Sequence, residues 1–148
     1  MTRLVPVLLL TLLVLAGCAK PPRPPYAEDP WVREPPPGIN MLAGYLVLHN
    51  PSATDLVLTG ASSPDFAAVE FHISEMENDV MRMRQETSIT VPAGGSLAYG
   101  PGARHLMLIA PNRTLAAGDE VSIHLQFADG SRLELTVPVR ASAGQSHH

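Results

Sequence analysis

Apolar and polar positions alternate most clearly near the C-terminus. Val121, Ile123, Leu125 and Phe127 interleave with Ser122, His124, Gln126 and Ala128, and Leu133, Leu135, Val137 and Val139 repeat the pattern. A period of two puts successive side chains on opposite faces of a strand. These two segments are therefore expected to pair, one face inward, across a tight turn at Ala128-Asp129-Gly130. Shorter strand-like runs precede them at 42–50, 55–61, 67–73, 80–84, 88–91, 96–99 and 105–109. Between them stand turn-forming groups, among them Asn50-Pro51-Ser52, Pro92-Ala93-Gly94-Gly95 and Gly100-Pro101-Gly102. Many short strands separated by such turns predict an all-β sandwich or barrel.

The N-terminus has a different pattern. After Met1-Thr2-Arg3 comes an apolar run from Leu4 to Leu15, which suits a secretory signal but is short for a membrane-spanning helix. The run closes on Leu15-Ala16-Gly17-Cys18, which resembles the lipobox of bacterial lipoproteins. The implied organisation is a signal peptide over 1–17, lipidated Cys18 with a proline-rich tether over 18–30, one domain over 31–140, and a flexible tail over 141–148. Proline-rich sequence favours an extended chain, and acyl chains on Cys18 would hold the protein to a membrane. The expected location is the periplasmic side of a bacterial envelope.

Composition narrows the partners. The 15 prolines and 11 glycines favour turns over helices. The net charge of -4, with Lys20 the only lysine and the arginines scattered, lacks the basic stripe that a phosphate backbone needs. Nucleic acid is therefore not an expected partner, and a monomer is expected. Cys18 is also the only cysteine, so its lipidation would leave the domain without disulfide, thiolate ligand or cysteine nucleophile. No Gly-x-Ser-x-Gly elbow or phosphate-binding loop is present, and no catalytic residue is assigned.

The chemistry concentrates between His72 and Met107. His72 is followed after ten residues by Met83, and Met83 after twenty-one by His105-Leu106-Met107. Residues two apart share a strand face, so His105 and Met107 can present nitrogen and sulfur to one ion while Leu106 and Leu108 face the core. Imidazole and thioether are borderline and soft neutral donors. With no carboxylate in the motif, they select copper(I) over magnesium or calcium and serve zinc poorly. Methionine also cannot form a disulfide in an oxidising compartment. A blue-copper electron-transfer site would need a cysteine thiolate beside two histidines, and none remains.

The spacing of His72, Met83, His105 and Met107 resembles the metal-binding pattern of the periplasmic copper chaperone family PCuAC. The flanking segments Ala43-Gly44-Tyr45, Val91-Pro92-Ala93-Gly94-Gly95 and Gly118-Asp119 resemble it too. The resemblance runs from about Asp29 to Arg140. It implies a cupredoxin-like Greek-key β-sandwich or barrel with a copper(I) site near its surface. It also implies delivery of copper(I) to exported cuproenzymes, such as subunit II of cytochrome c oxidase or a thioredoxin-fold copper metallochaperone. Two other readings use the same sequence: copper buffering or tolerance with the same ligands, and an interaction module in which the histidines and methionines are incidental.

Residues outside the four ligands receive simpler expectations. Met81 shares a strand face with Met83 and is an auxiliary candidate, while Met76 is assigned to packing or shielding. His147 and His148 end the tail and could bind copper(II) weakly. His49 and His124 read as surface residues, and Trp31 as closing the core where the tether enters.

Overall fold

The computed structural model describes residues 23–142, so the signal segment, Cys18, His147 and His148 lie outside the described residues. Ten strands follow in chain order: β1 (Tyr26–Arg33), β2 (Met41–His49), β3 (Leu56–Ser62), β4 (Phe66–Glu77), β5 (Val80–Glu86), β6 (Ile89–Val91), β7 (Ser96–Tyr99), β8 (Arg104–Pro111), β9 (Glu120–Phe127) and β10 (Arg132–Arg140). There is no helix among the described residues. Each run expected from the alternation is a strand, β2 to β10.

The additional strand is β1, which enters the stretch assigned to the tether. It pairs antiparallel with β2 and parallel with β10, where Val32 meets Val139. The tether expected over 18–30 therefore gives way to barrel at Tyr26. Pro30 sits where the register slips between Glu28 and Trp31, beside Asp29 at a φ of 42°. A bulge is one of the few places in a strand that tolerates proline, because the missing N–H is not needed there. A hydrogen bond from the Arg140 guanidinium holds the Asp29 carboxyl below the usual carboxylate range and links the bulge to β10.

The strands run in the order β5-β4-β8-β2-β1-β10-β9-β3-β6, with β7 on β2. Contact of β3 with β4, at Ala61 and Val69, joins β4, β8, β2, β1, β10, β9 and β3 into a closed barrel. Closure removes the free edges from these seven strands. Leu48, Leu58, Leu106, Leu108, Ile123, Leu125 and Val137 fill the interior. Each such side chain is worth roughly 1.5–3 kcal/mol in burial.

Gly44 sets the approach of three strands. A Cβ added there would lie 3.4 Å from Leu106 Cβ, 3.5 Å from Leu108 Cδ1 and 3.7 Å from Val32 Cγ2. There is room for one methyl group and no more. Gly44→Val is expected to cost about 1–3 kcal/mol through overpacking, read as a lowered urea midpoint at unchanged slope. Gly44→Ala should fold normally.

Candidate metal centre

The strand order puts β4 in the middle of the site, with β5 on one side and β8 on the other. Across β4 and β8, His72 lies opposite His105 and Glu70 opposite Met107. Across β4 and β5, Ser74 lies opposite Met83 and Met76 opposite Met81. Directly opposed residues point to one face, so both histidines and these methionines share the outer side of the sheet. Leu106 and Leu108 point inward from the same strand, as the alternation requires. On β2, Met41 lies opposite Ile109, so it joins this face as well.

The imidazoles lie side by side, with ring centroids 5.8 Å apart at an angle of 44°. His105 is 7% exposed, and its Nδ1 lies 3.2 Å from the carbonyl oxygen of Ala103. A carbonyl only accepts, so in the neutral ring Nδ1 carries the proton and Nε2 keeps the lone pair. His72 has the opposite arrangement: Nε2 lies 2.8 Å from Glu70 Oε2, and Nδ1 is buried without a hydrogen-bond partner. Donation from Nε2 to the carboxylate leaves the lone pair on that orphaned Nδ1. A buried lone pair without a partner is costly, and a metal ion would satisfy it. Metal-bound histidines commonly have the other ring nitrogen held in this way.

Met107 follows His105 on the same face and is diagonal to His72, at roughly 7–8 Å between Cα atoms for such a pair. Met83 is diagonal to His72 from the other side, but β4 separates it from His105, and its side chain is 55% exposed. The fold thus gathers His72, His105 and Met107, and it leaves Met83 on the same face one strand further out. Among the described residues no three of His, Cys, Asp and Glu form a set able to hold a metal, so an ion here would draw on the thioethers.

Glu70 is the participant that the sequence reading missed. The motif holds no carboxylate as ligand, yet this one stands two residues before His72 on the same strand face, a relation visible in the period of two. Below the site, Arg104 Nε meets Glu86 Oε2 at 2.9 Å beside the buried hydroxyl of Tyr99. Burial, with Glu86 adding to it, pushes that hydroxyl above its ordinary value and keeps it protonated. Elsewhere, His49 Nε2 lies 2.7 Å from Glu28 Oε2, and its ring stacks on Tyr26. Trp31 does not close the core. It points outward, packs on Tyr45 at 4.7 Å between centroids, and lies beneath Arg33 and Arg140, because its neighbour Val32 takes the inward position.

This architecture is that of a PCuAC-type domain. The chain belongs to the LpqE-like family, described as "Putative lipoprotein LpqE-like", whose model matches residues 26–139. It is 29% identical over 150 residues to "Putative lipoprotein Lxx21020" of Leifsonia xyli subsp. xyli, covering 93% of this chain and 89% of that protein. The copper-bound PCuAC domain from PmoF2 has the same fold, with a TM-score of 0.67 at 24% identity over 80% of this chain and 93% of that one. The solution structure of the copper(I) form of DR1885 from Deinococcus radiodurans superposes with a TM-score of 0.59 at 28% identity, over 85% of this chain and 83% of that one.

Proposed function

We propose that this protein is a copper(I) chaperone of the bacterial envelope, anchored through Cys18, which holds one ion with His72, Met83, His105 and Met107. The observation that carries this reading is the pairing of His72 and His105, each with one ring nitrogen engaged and the other left with its lone pair. The copper(I) form of DR1885 and the lipoprotein relative support it by likeness. All four donors are neutral, so the ion can pass downhill to an acceptor that offers thiolates, such as the copper centre of an oxidase subunit. For Met83 to join the other three, the β4–β5 hairpin must bend toward β8.

The test is a copper(I) titration of the full-length chain in mild detergent against a competing chelator, with His147→Ala and His148→Ala to silence the tail. One tight equivalent, lost on Met83→Leu with Met107→Leu, is the expected result. Weak binding unchanged by those substitutions would reject the chaperone and favour an interaction module. Transfer of the bound ion to a thiolate-bearing acceptor separates delivery from buffering.

Glu70 should matter without touching the ion. Glu70→Ala frees the His72 ring to choose its tautomer and orientation, and it is expected to weaken copper(I) binding by ~10–100-fold, the usual range for losing such a support. The same chelator competition measures it, with thermal unfolding unchanged as the control.

A further inference from the structure

The β4–β5 hairpin carries more sulfur than a four-ligand site uses. Past Ile73, β4 has no strand partner but β5, and past the backbone bond from Ser74 to Ala103 the tip stands away from the barrel. Its loop is Asn78-Asp79, with φ of 51° and 61°. Two consecutive positive φ values make the tight hairpin loop whose twist matches the flanking strands, and such a loop sets the register. Met76 is thereby locked opposite Met81, with Met83 two residues along on the same face. Directly opposed Cβ atoms lie roughly 4.5–5.5 Å apart, close enough for two thioethers to share one ion.

The packing explanation for these methionines fails. Met76, Met81 and Met83 are 68%, 57% and 55% exposed. The other face of the hairpin bears Glu75, Glu77, Arg82 and Arg84, joined as Arg82 Nε to Glu77 Oε2 at 2.8 Å and Arg84 Nη2 to Glu75 Oε2 at 3.3 Å. Neither face rests on the barrel. The hairpin has mutually neutralised charges on one side and three thioethers in water on the other. Methionine fills gaps in cores, but here there is no core to fill. An open groove of about 750 Å³ runs along the tip, lined by Met76, Met83 and the four charged residues.

We infer that Met76, Met81 and Met83 form a second, outer site for a soft monovalent cation, copper(I) or silver(I), which receives the ion before the histidine-bearing site. The inference rests on the proposed copper(I) function and deepens it by naming where the ion enters. Three neutral sulfurs exclude hard cations. Met83 belongs to both sets, so the ion can stay bound to its sulfur while bonds to Met76 and Met81 break and bonds to His72 and His105 form. No electron or proton moves, and the oxidation state stays +1. The inward direction follows from the stronger donor character of imidazole.

The test uses the full-length chain with both tail histidines replaced, its methionine methyl groups labelled with carbon-13, and silver(I) as a redox-inert probe. With His72→Asn and His105→Asn disabling the inner site, one equivalent is expected to shift the Met76, Met81 and Met83 methyls together. Adding Met76→Leu and Met81→Leu should weaken the Met83 response by at least ~10-fold; leucine is close to methionine in volume, so folding is not at stake. Silent Met76 and Met81 methyls, or a Met83 response indifferent to their loss, would overturn the outer site. Should the double histidine variant unfold, His105→Asn alone takes its place: Met76 and Met81 shifting with Met83 support the site, and silent Met76 and Met81 reject it. Copper(I) titration of the histidine-intact chain keeps the two readings apart. One tight equivalent there, with Met76 and Met81 silent in the histidine variant, defeats the outer site alone, whereas no tight equivalent defeats the chaperone reading itself.

Discussion

Replacing His105 with asparagine is expected to lower copper(I) affinity by more than ~100-fold while the domain stays folded. Loss of a supporting partner around a metal typically costs ~10–100-fold, and His105 is a direct ligand in the proposed site, so the effect should exceed that range. Asparagine is the informative substitution because its amide N–H can still donate to the Ala103 carbonyl, as Nδ1 does at 3.2 Å, while the Nε2 lone pair disappears. Alanine would open a cavity at a buried position and confuse stability with binding. Chelator competition measures the affinity, and an unchanged urea midpoint certifies the fold. Affinity within a few-fold of the unsubstituted chain would remove His105 from the ligand set.

The largest effect on stability is expected far from the metal site, at Asn50. This side chain is 1% exposed and donates from Nδ2 toward three carbonyls, Thr54 at 2.8 Å, Val91 at 3.0 Å and Pro92 at 3.2 Å, while its Oδ1 accepts from the backbone N–H and hydroxyl of Ser52. It thereby joins the turn after β2 to the loop between β6 and β7. Asn50→Asp keeps the shape but sets a carboxyl against three carbonyls. Buried acceptors left without a donor cost about 1–3 kcal/mol each, partly recovered by relaxation or water. A loss of about 3–4 kcal/mol is expected, seen as a drop in melting temperature of roughly 10 °C or more. A loss below about 1 kcal/mol would mean that water takes over the donor role. Copper(I) affinity measured well below the transition should not change, since none of these contacts reaches β4 or β8.

Much of the barrel was legible in the residue pattern, and the exceptions have physical causes. The alternation from Val121 to Phe127 and from Leu133 to Val139 marks strands because burial on one face demands it. Asn50 reads as turn chemistry beside Pro51, and its burial is invisible, because the carbonyls of Val91 and Pro92 come from a loop some forty residues away in the chain. Pro30 reads as tether because proline normally opposes strands. The bulge that accommodates it exists only where β1 meets β2.

By itself, the sequence determined the all-β character, the core-facing residues of the alternating strands though not of β1, where Val32 and not Trp31 points inward, and the softness of the ion that two imidazoles and two thioethers would select. Each of these depends on residue type and local period alone. Tertiary structure decided which strands are neighbours, and therefore everything that depends on adjacency. It set His72 beside His105, put Glu70 on the His72 ring so that Nδ1 keeps the lone pair, separated Met83 from His105 by the width of β4, and stood Met76 and Met81 out in solvent. The reason is that strand pairing is a competition among distant segments, settled by closure of the barrel between β3 and β4, and no period within a single strand encodes its outcome.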